Sequence, residues 1–428
     1  MEWESLVLVL FLMHERAQGT ASQYYAYMAT LPNSHSTTLF WPDQLLQRLG
    51  GSVLYNATVQ RRVELQSLHA IVVATLGPSG LAAMCDWSSF LWATATVDSR
   101  AFRVLRDGVE TTVLAPLADM VNHTFDTPVI TSKRFDSQTR ALVLSASAPH
   151  VSAGEVTMCY GELDNARLLL FYGFAVDENP YDRLELLLEP PDGDELVSAK
   201  GEALVALGCG LGHELSAELR EVPRLVLSLR LLLLEDSEES RCWLARLMKA
   251  ETVTEVQALF LPLRAVTQAR ENAGGIPPDA SYILSNAGAK DRDVLSNEQR
   301  GDYESSSRTC KVTRRERNGV GEAGMMMGGY EDHTLGPQEV ETMRVVTDDE
   351  YPLGTVLSGQ NERMVLETLC GVVGEQYGLC VSQLESLMAY SGEEAGGARC
   401  FLRGQLHIIA ESSSFFSTCL EYLTRLGY

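Results

Sequence analysis

Three short runs hold residue types that could line a site for a polar ligand. The first is "LAPLADMVNHTFDTP", an apolar run bounded by Pro116 and Pro128 that contains Asp119 and the pair Asn122-His123. The second is "GEVTMCYG", which ends in Cys159-Tyr160-Gly161, and the third is "NARLLLFYGF", which ends in Tyr172-Gly173-Phe174. Taken singly, each has a plain reading. An Asn-His pair is a turn, and a strand-end tyrosine packs with its hydroxyl satisfied. A Tyr-Gly-Phe corner is a capped, buried aromatic. Cys159 resembles a nucleophile, but no His adjoins it, and burial in a strand is the commoner role of a free cysteine. The nine cysteines are odd in number, irregular in spacing and without a CxxC. Neither a disulfide framework nor a zinc site is indicated, and a reducing compartment fits best.

The elements around these runs change texture along the chain. Residues 1–110 read mostly as helix. Leu6–Glu15 is largely apolar, Tyr24, Tyr25, Tyr27 and Met28 form a second segment, and "FWPDQLLQRLGG" opens near Pro42 and stops at Gly-Gly. "DWSSFLWATATVDSRAF" is again helix-like. From Val113 the pattern is β-rich. "PVITSKRF" and "ALVLSAS" flank the turn residues Asp136 to Thr139, a hairpin signal. "AGEVTMCYG" reads as a third strand. "DNARLLLFYGF" reads as one short helix with Asn165 as N-cap and Gly173 as stop, and "DRLELLLEPP" as a further strand. From about Asp194 the chain is helical. Val365, Leu366, Leu369, Val372 and Val373 share one face at helical spacing, and Ser382 to Glu385 reads as a capping box. Residues 274–354, rich in Gly, Ser, Asp and Arg, are expected to be a disordered insertion, with Lys311, Arg314, Arg315 and Arg317 a solvated basic run.

Bulk properties set the bounds. At about 100–200 residues per domain, 428 residues predict two or three domains. A formal net charge of −23 argues against nucleic acid as the main partner, which would need clustered Lys and Arg. The acidic surface serves solubility and would steer a basic protein substrate. The eight apolar residues Leu6 to Met13 follow Glu2 and Glu4 rather than a positive region, so they read as a buried helix and not as a signal peptide. No apolar run is long enough for a transmembrane helix.

In order along the chain, "DMVNH", a hairpin, "GEVTMCYG" and "N..LLLFYGF" resemble the SET-domain protein methyltransferases, in the branch typified by the Rubisco large-subunit lysine methyltransferase. "LFLMHERAQGTASQYYAYMATLP…FWPDQLLQRLGG" is similar to that family's helical insert. Ser99, Arg100 and Phe102 match its Ser-Arg-x-Phe segment, and "NERMVLETL…VSQLESLMAY" resembles its helical substrate-binding domain.

The resemblance implies an α+β SET β-clip fold with a pseudoknot that brings the Asn-His loop against the Tyr-bearing strand. It implies a helical insert over 1–110, the C-terminal half of the SET domain over 111–190, and a helical substrate-binding domain over 191–428 interrupted at about 274–354. It further implies an S-adenosylmethionine-dependent protein-lysine N-methyltransferase acting on a non-histone protein. In that reading Arg100, Asp119, Asn122 and His123 serve the cofactor, with Arg100 near its carboxylate end. Tyr160 is catalytic, Tyr172 and Phe174 wall the lysine channel, and no metal is needed. The partner is a protein bearing the target lysine, with no nucleic acid or membrane and the chain a monomer, in the cytoplasm, nucleus or plastid. A histidine acceptor is a variant of the same chemistry. In this family the SET domain opens with a segment bearing a Gly-x-Gly-like turn, whereas this sequence begins within the helical insert. The expectation is therefore either a piece of a longer chain or lost activity, and the alternative function is a SET-derived protein-binding module.

Overall fold

The computed structural model describes residues 3–77, 85–106, 108–126, 128–151, 153–219, 221–249, 359–388, 390 and 392–425, with short strands at 261–262, 311–313 and 355–356. The chain divides into two compact units, the first taking Met1–Tyr181 and Glu385–Leu402 and the second beginning at Asp182.

The first unit is built on three helices: α1 (Trp3–Gln18), α2 (Val53–Leu76) and α3 (Trp87–Arg100). Two are capped as their sequences dictate. Ser52 accepts the Tyr55 N–H at 3.1 Å, and Asp86 accepts the Ser89 N–H at 3.0 Å. Hydrogen bonds from Ser88 and Ser89 hold the Asp86 carboxyl well below the usual carboxylate range. Helix α3 is buried continuously from Phe90 to Asp98. It tolerates this because its polar residues are small or paired: Thr96 returns its hydroxyl to the Trp92 carbonyl at 2.9 Å, and Asp98 meets Arg61 at 3.1 Å. Val9, Leu12, Met13, Leu65, Val72, Phe90, Trp92 and Val97 close one core with Leu170.

A hairpin follows immediately, β1 (Phe102–Arg106) against β2 (Val109–Val113), turning at Gly108 with φ +82°. The strand region therefore starts eleven residues before Val113. Leu105 and Val109 are exposed, so the hairpin lacks the alternation that would have announced it. The main sheet has the order β3-β6-β4-β5, with β3 (Asn122–His123), β4 (Ile130–Asp136), β5 (Ala141–Ala146) and β6 (Thr157–Met158). The β4–β5 hairpin lies where it was expected, with Asp136 accepting the Gln138 N–H at 3.0 Å in the turn. The third predicted strand contracts to Thr157–Met158, which pairs in parallel with both β3 and β4.

In the second unit β7 (Leu184–Glu189) alternates buried and half-buried residues and pairs with β8 (Gly212–Leu215). A two-residue strand, β9 (Leu261–Pro262), pairs with β11 (Thr355–Val356), while β10 (Lys311–Thr313) flanks β7. Within 274–354, β10 is described and the rest of the expected insertion lies outside the described residues. Helix α4 (Val197–Ala206) lies between β7 and β8, and α5 (Val222–Leu232) and α6 (Glu238–Lys249) follow β8. Lys200 is wholly buried yet fully satisfied, donating to Asp194 at 2.6 Å and to the Leu232 and Leu234 carbonyls at 2.9 and 2.6 Å. The last two described helices, α7 (Gly359–Leu387) and α8 (Glu393–Arg425), belong in part to each unit. Val365, Leu366, Leu369, Val372 and Val373 are all buried, as their spacing predicted. Ser382 and Glu385 instead sit inside α7, so the predicted capping box is absent: the helix passes through the motif without a break.

Candidate active site

The loop "LADMVNH" is shaped by a 3₁₀ turn, Ala118–Met120, entered through Leu117 at φ +73°. A non-glycine residue in that region is strained, and the strain persists only where tertiary contacts hold it. The contacts are specific. Asp119 has a side chain with no exposed surface, and its Oδ2 accepts the Tyr27 hydroxyl at 2.8 Å. Arg100 Nη1 donates to the Asp119 carbonyl at 2.9 Å and stands 3.5 Å from Oδ2.

Beyond the turn the chain becomes β3, and its parallel register with β6 sets Asn122 against Thr157 and His123 against Met158. Tyr160 follows two residues after Met158, so the pairing delivers it to the Asn-His corner. The Tyr160 N–H donates to His123 Nδ1 at 3.1 Å, the two rings lie 5.1 Å apart, and the Tyr160 hydroxyl donates to the Val121 carbonyl at 2.7 Å. The side chain of Asn122 stays near the surface and donates to Glu155 Oε1 at 2.7 Å.

The remaining wall comes from the helical stretch Asn165–Arg167, which continues as a π turn over Leu168–Tyr172. Its N-cap is Asp164, which accepts the Arg167 N–H at 2.7 Å, rather than Asn165 as predicted. Asn165 is fully buried and exchanges two hydrogen bonds with the Val176 backbone, at 2.7 and 2.9 Å, which folds the following segment back. Gly173 ends the turn at φ +83° in the left-handed conformation its sequence position predicted. A Cβ there would lie 2.8 Å from the backbone of Ser36 and Thr37. Tyr172 and Phe174 then flank Tyr160, with ring centroids 5.0 and 6.4 Å from it, and Phe174 lies 5.8 Å from His123.

Burial dominates the electrostatics. It pushes the Tyr160 phenol up, opposed by the Arg100 guanidinium and reinforced by Asp119. It pushes Tyr172 up to about 12, with Tyr160 and Asp98 adding to the effect. Both phenols are therefore neutral across the physiological range. Burial pushes the His123 imidazole down against the Met158 carbonyl. A neutral imidazole that accepts at Nδ1 carries its proton on Nε2. That Nε2 and Asp119 Oδ1 are buried without a hydrogen-bond partner among the described residues. Buried polar atoms are otherwise nearly always paired, so the corner has polar capacity that the described residues do not use.

The structure thus gathers Arg100, Asp119, Asn122, His123, Tyr160, Tyr172 and Phe174 around one corner. Sequence reasoning missed Tyr27 and Glu155. Tyr27 stands among three tyrosines in four residues, and nothing in its spacing separates it from its exposed neighbours Tyr24 and Tyr25. Cys159 was misread: it is exposed rather than buried, just beyond β6, with Sγ 3.4 Å from the Gly161 carbonyl. No cluster of three or more metal-ligating side chains occurs among the described residues.

No protein-family model matches the sequence. It is 32% identical over 212 residues to the chloroplastic [fructose-bisphosphate aldolase]-lysine N-methyltransferase of Arabidopsis thaliana, covering 46% of this chain and 42% of that protein. It is 28% identical over 213 residues to the Rubisco large subunit N-methyltransferase of Pisum sativum, covering 46% and 42%. The chain thus spans about two-fifths of the length of these curated relatives. Among solved structures it resembles the SET domain of LSMT bound to lysine and AdoHcy, with a TM-score of 0.55 at 18% identity over 99% of this chain and 77% of that one. The chain carries the α+β SET-domain fold of the Rubisco large-subunit lysine methyltransferases and is similar in sequence to SET-domain lysine methyltransferases of that branch.

Proposed function

We propose that this chain carries the methyl-transfer corner of an S-adenosylmethionine-dependent protein-lysine N-methyltransferase acting on a non-histone protein. The observation that supports this most directly is the β3–β6 pairing, which sets the Asn122-His123 corner beside the Tyr160 phenol and the Tyr172 and Phe174 rings. The donor set fits the cofactor. An exposed carboxamide, an imidazole nitrogen and a carboxylate oxygen without partners, and a guanidinium suit an amino-acid and nucleoside ligand. Asn122, His123 and Arg100 would hold it, with Asp119 supporting the loop. When bound, S-adenosylmethionine supplies an electrophilic methyl group on a sulfonium.

The protein's own task is then positioning and desolvation. Tyr160 gives its only proton to the Val121 carbonyl, so the phenol oxygen presents lone pairs to its other side. There it can accept weak C–H···O contacts from a polarised methyl and orient an incoming amine. A lysine amine ionises at about 10.4 in water and must be neutral to attack; desolvation between aromatic walls beside a cation lowers that value. Tyr172 and Phe174 supply those walls, and Tyr172 remains a neutral phenol. Holding nucleophile and methyl in line at about 3–3.5 Å contributes several kcal/mol. The reading includes residues 191–428 as the substrate-binding domain and a monomeric chain located in the cytoplasm, nucleus or plastid. No helix among the described residues is long and apolar enough to cross a membrane.

Calorimetry with S-adenosylhomocysteine tests the reading. Tyr160→Phe is expected to abolish transfer and leave that affinity unchanged, whereas Asn122→Ala is expected to weaken binding. A folded chain that binds no S-adenosylhomocysteine would turn the assignment towards a SET-derived protein-binding module.

A further inference from the structure

Three donors converge on the few residues between the 3₁₀ turn and β3. The Tyr27 hydroxyl donates to the Asp119 carboxylate at 2.8 Å, Arg100 to the Asp119 carbonyl at 2.9 Å, and Tyr160 to the Val121 carbonyl at 2.7 Å. Each has a different job. Arg100 and Tyr160 fix backbone carbonyls, while Tyr27 fixes a side chain. That side chain has no exposed surface, and its second oxygen is unpartnered. The turn is entered through Leu117 at φ +73°, with 78% of that residue exposed, so little packing there resists relaxation. Without the Tyr27 hydroxyl, the buried carboxylate keeps only the Arg100 contact at 3.5 Å. A buried charge short of hydrogen bonds drives its loop towards solvent.

We propose that Tyr27, in the short helical turn Tyr25–Met28, is a positioning residue for the methyl-transfer corner. It locks the Asp119 side chain, which keeps the Val121 carbonyl where it aims the Tyr160 hydroxyl. The consequence for transfer rests on the function proposed above; the lock itself does not.

The test uses the full chain labelled at tyrosine Cζ with ¹³C, with the Tyr160 resonance assigned by its loss in Tyr160→Phe. In Tyr27→Phe the Tyr160 resonance is expected to shift. Amide exchange across 119–123 is expected to rise about tenfold, the scale of a lost hydrogen bond to a charged group. Tyr25→Phe, on the same helical turn and 48% exposed, is expected to move neither. S-adenosylhomocysteine affinity, measured in parallel, is expected to fall about tenfold in Tyr27→Phe. An unmoved Tyr160 resonance with unchanged exchange overturns the proposal. Absence of S-adenosylhomocysteine binding in the parent chain defeats the function instead, and the resonance and exchange still decide the lock. Should Tyr27→Phe fail to fold, Asp119→Asn, whose amide oxygen still accepts from Tyr27, is compared with Asp119→Leu. The lock requires slow exchange in the first and fast exchange in the second, and equal exchange in both overturns it.

Discussion

Asp98 and Arg61 form the most exacting pair in the first unit. Their side chains retain 2% and 14% of their exposure and meet at 3.1 Å. Burial pushes the Asp98 carboxyl up, and Arg61 draws it back down. Removing one member of such a pair leaves the other charge buried, which costs about 3–5 kcal/mol. Asp98→Ala is therefore expected to destabilise by that amount in urea unfolding, and Asp98→Asn, which retains an acceptor for Arg61, by less. Equal losses would mean that volume and not charge matters there. Asp98 also contributes to the raised Tyr172 phenol, so the pair reaches the proposed channel electrostatically. At this scale the sequence was legible where a residue type is tied to a motif. Asn122, His123, Tyr160 and Tyr172 were singled out through the family resemblance that the order of their motifs carries. Asp98, Tyr27 and Glu155 were not, because their partners lie 37, 92 and 33 residues away and no local spacing encodes them.

The helical stretch that carries Tyr172 shows how an element places a site. Three residues of α-helix followed by a five-residue π turn put the Tyr172 ring 5.0 Å from that of Tyr160. Gly173 then reverses the chain against the backbone of Ser36 and Thr37, closer than any Cβ allows. Gly173→Ala is expected to combine left-handed strain with overpacking, for a loss of about 2–4 kcal/mol. The same variant should disturb Tyr172 and Phe174 on either side of it. Thermal unfolding checks the first, and the near-ultraviolet circular dichroism of the aromatic cluster the second; a parent-like stability would remove the steric argument. Gly173 was legible because a helix stop demands it. The π turn and the true cap, Asp164, were not: Asn165 is an equally good cap by residue type, and only its burial against Val176 decides between them. The β1–β2 hairpin escaped because two of its apolar residues, Leu105 and Val109, face solvent, and the false capping box in α7 shows that a local motif yields to a longer helix already propagating through it.

Over the described residues, folding opposes the protonation of three histidines, His35 and His123 in the first unit and His213 in the second. His35 is pushed down to about 4, first by burial and then by the charges of Arg100 and Arg16, while its Nε2 meets Thr96 at 2.9 Å. His213 is pushed down to about 4 by burial, with the Gly210 carbonyl opposing and Arg224 adding to the shift. An unfolded histidine titrates near 6.5, so above that pH both states are neutral and the stability is intact. Below it the unfolded chain binds protons that the folded chain refuses, and stability falls as pH drops from 6.5 towards 4. The slope is at most about 1.4 kcal/mol per pH unit for each group. Asp86 and Asp136, whose carboxyls are held low, lose their contribution only at more acid pH, while the raised Asp98 carboxyl takes up its proton in the folded state and works against the decline. Urea midpoints at pH 7.5, 6.5 and 5.5 are expected to decline between the last two. His35→Gln and His213→Gln should each flatten the decline, and together leave only the part owed to His123. A midpoint constant from pH 7.5 to 5.5, or a slope unmoved by both substitutions, would show that neither imidazole is held neutral by the fold.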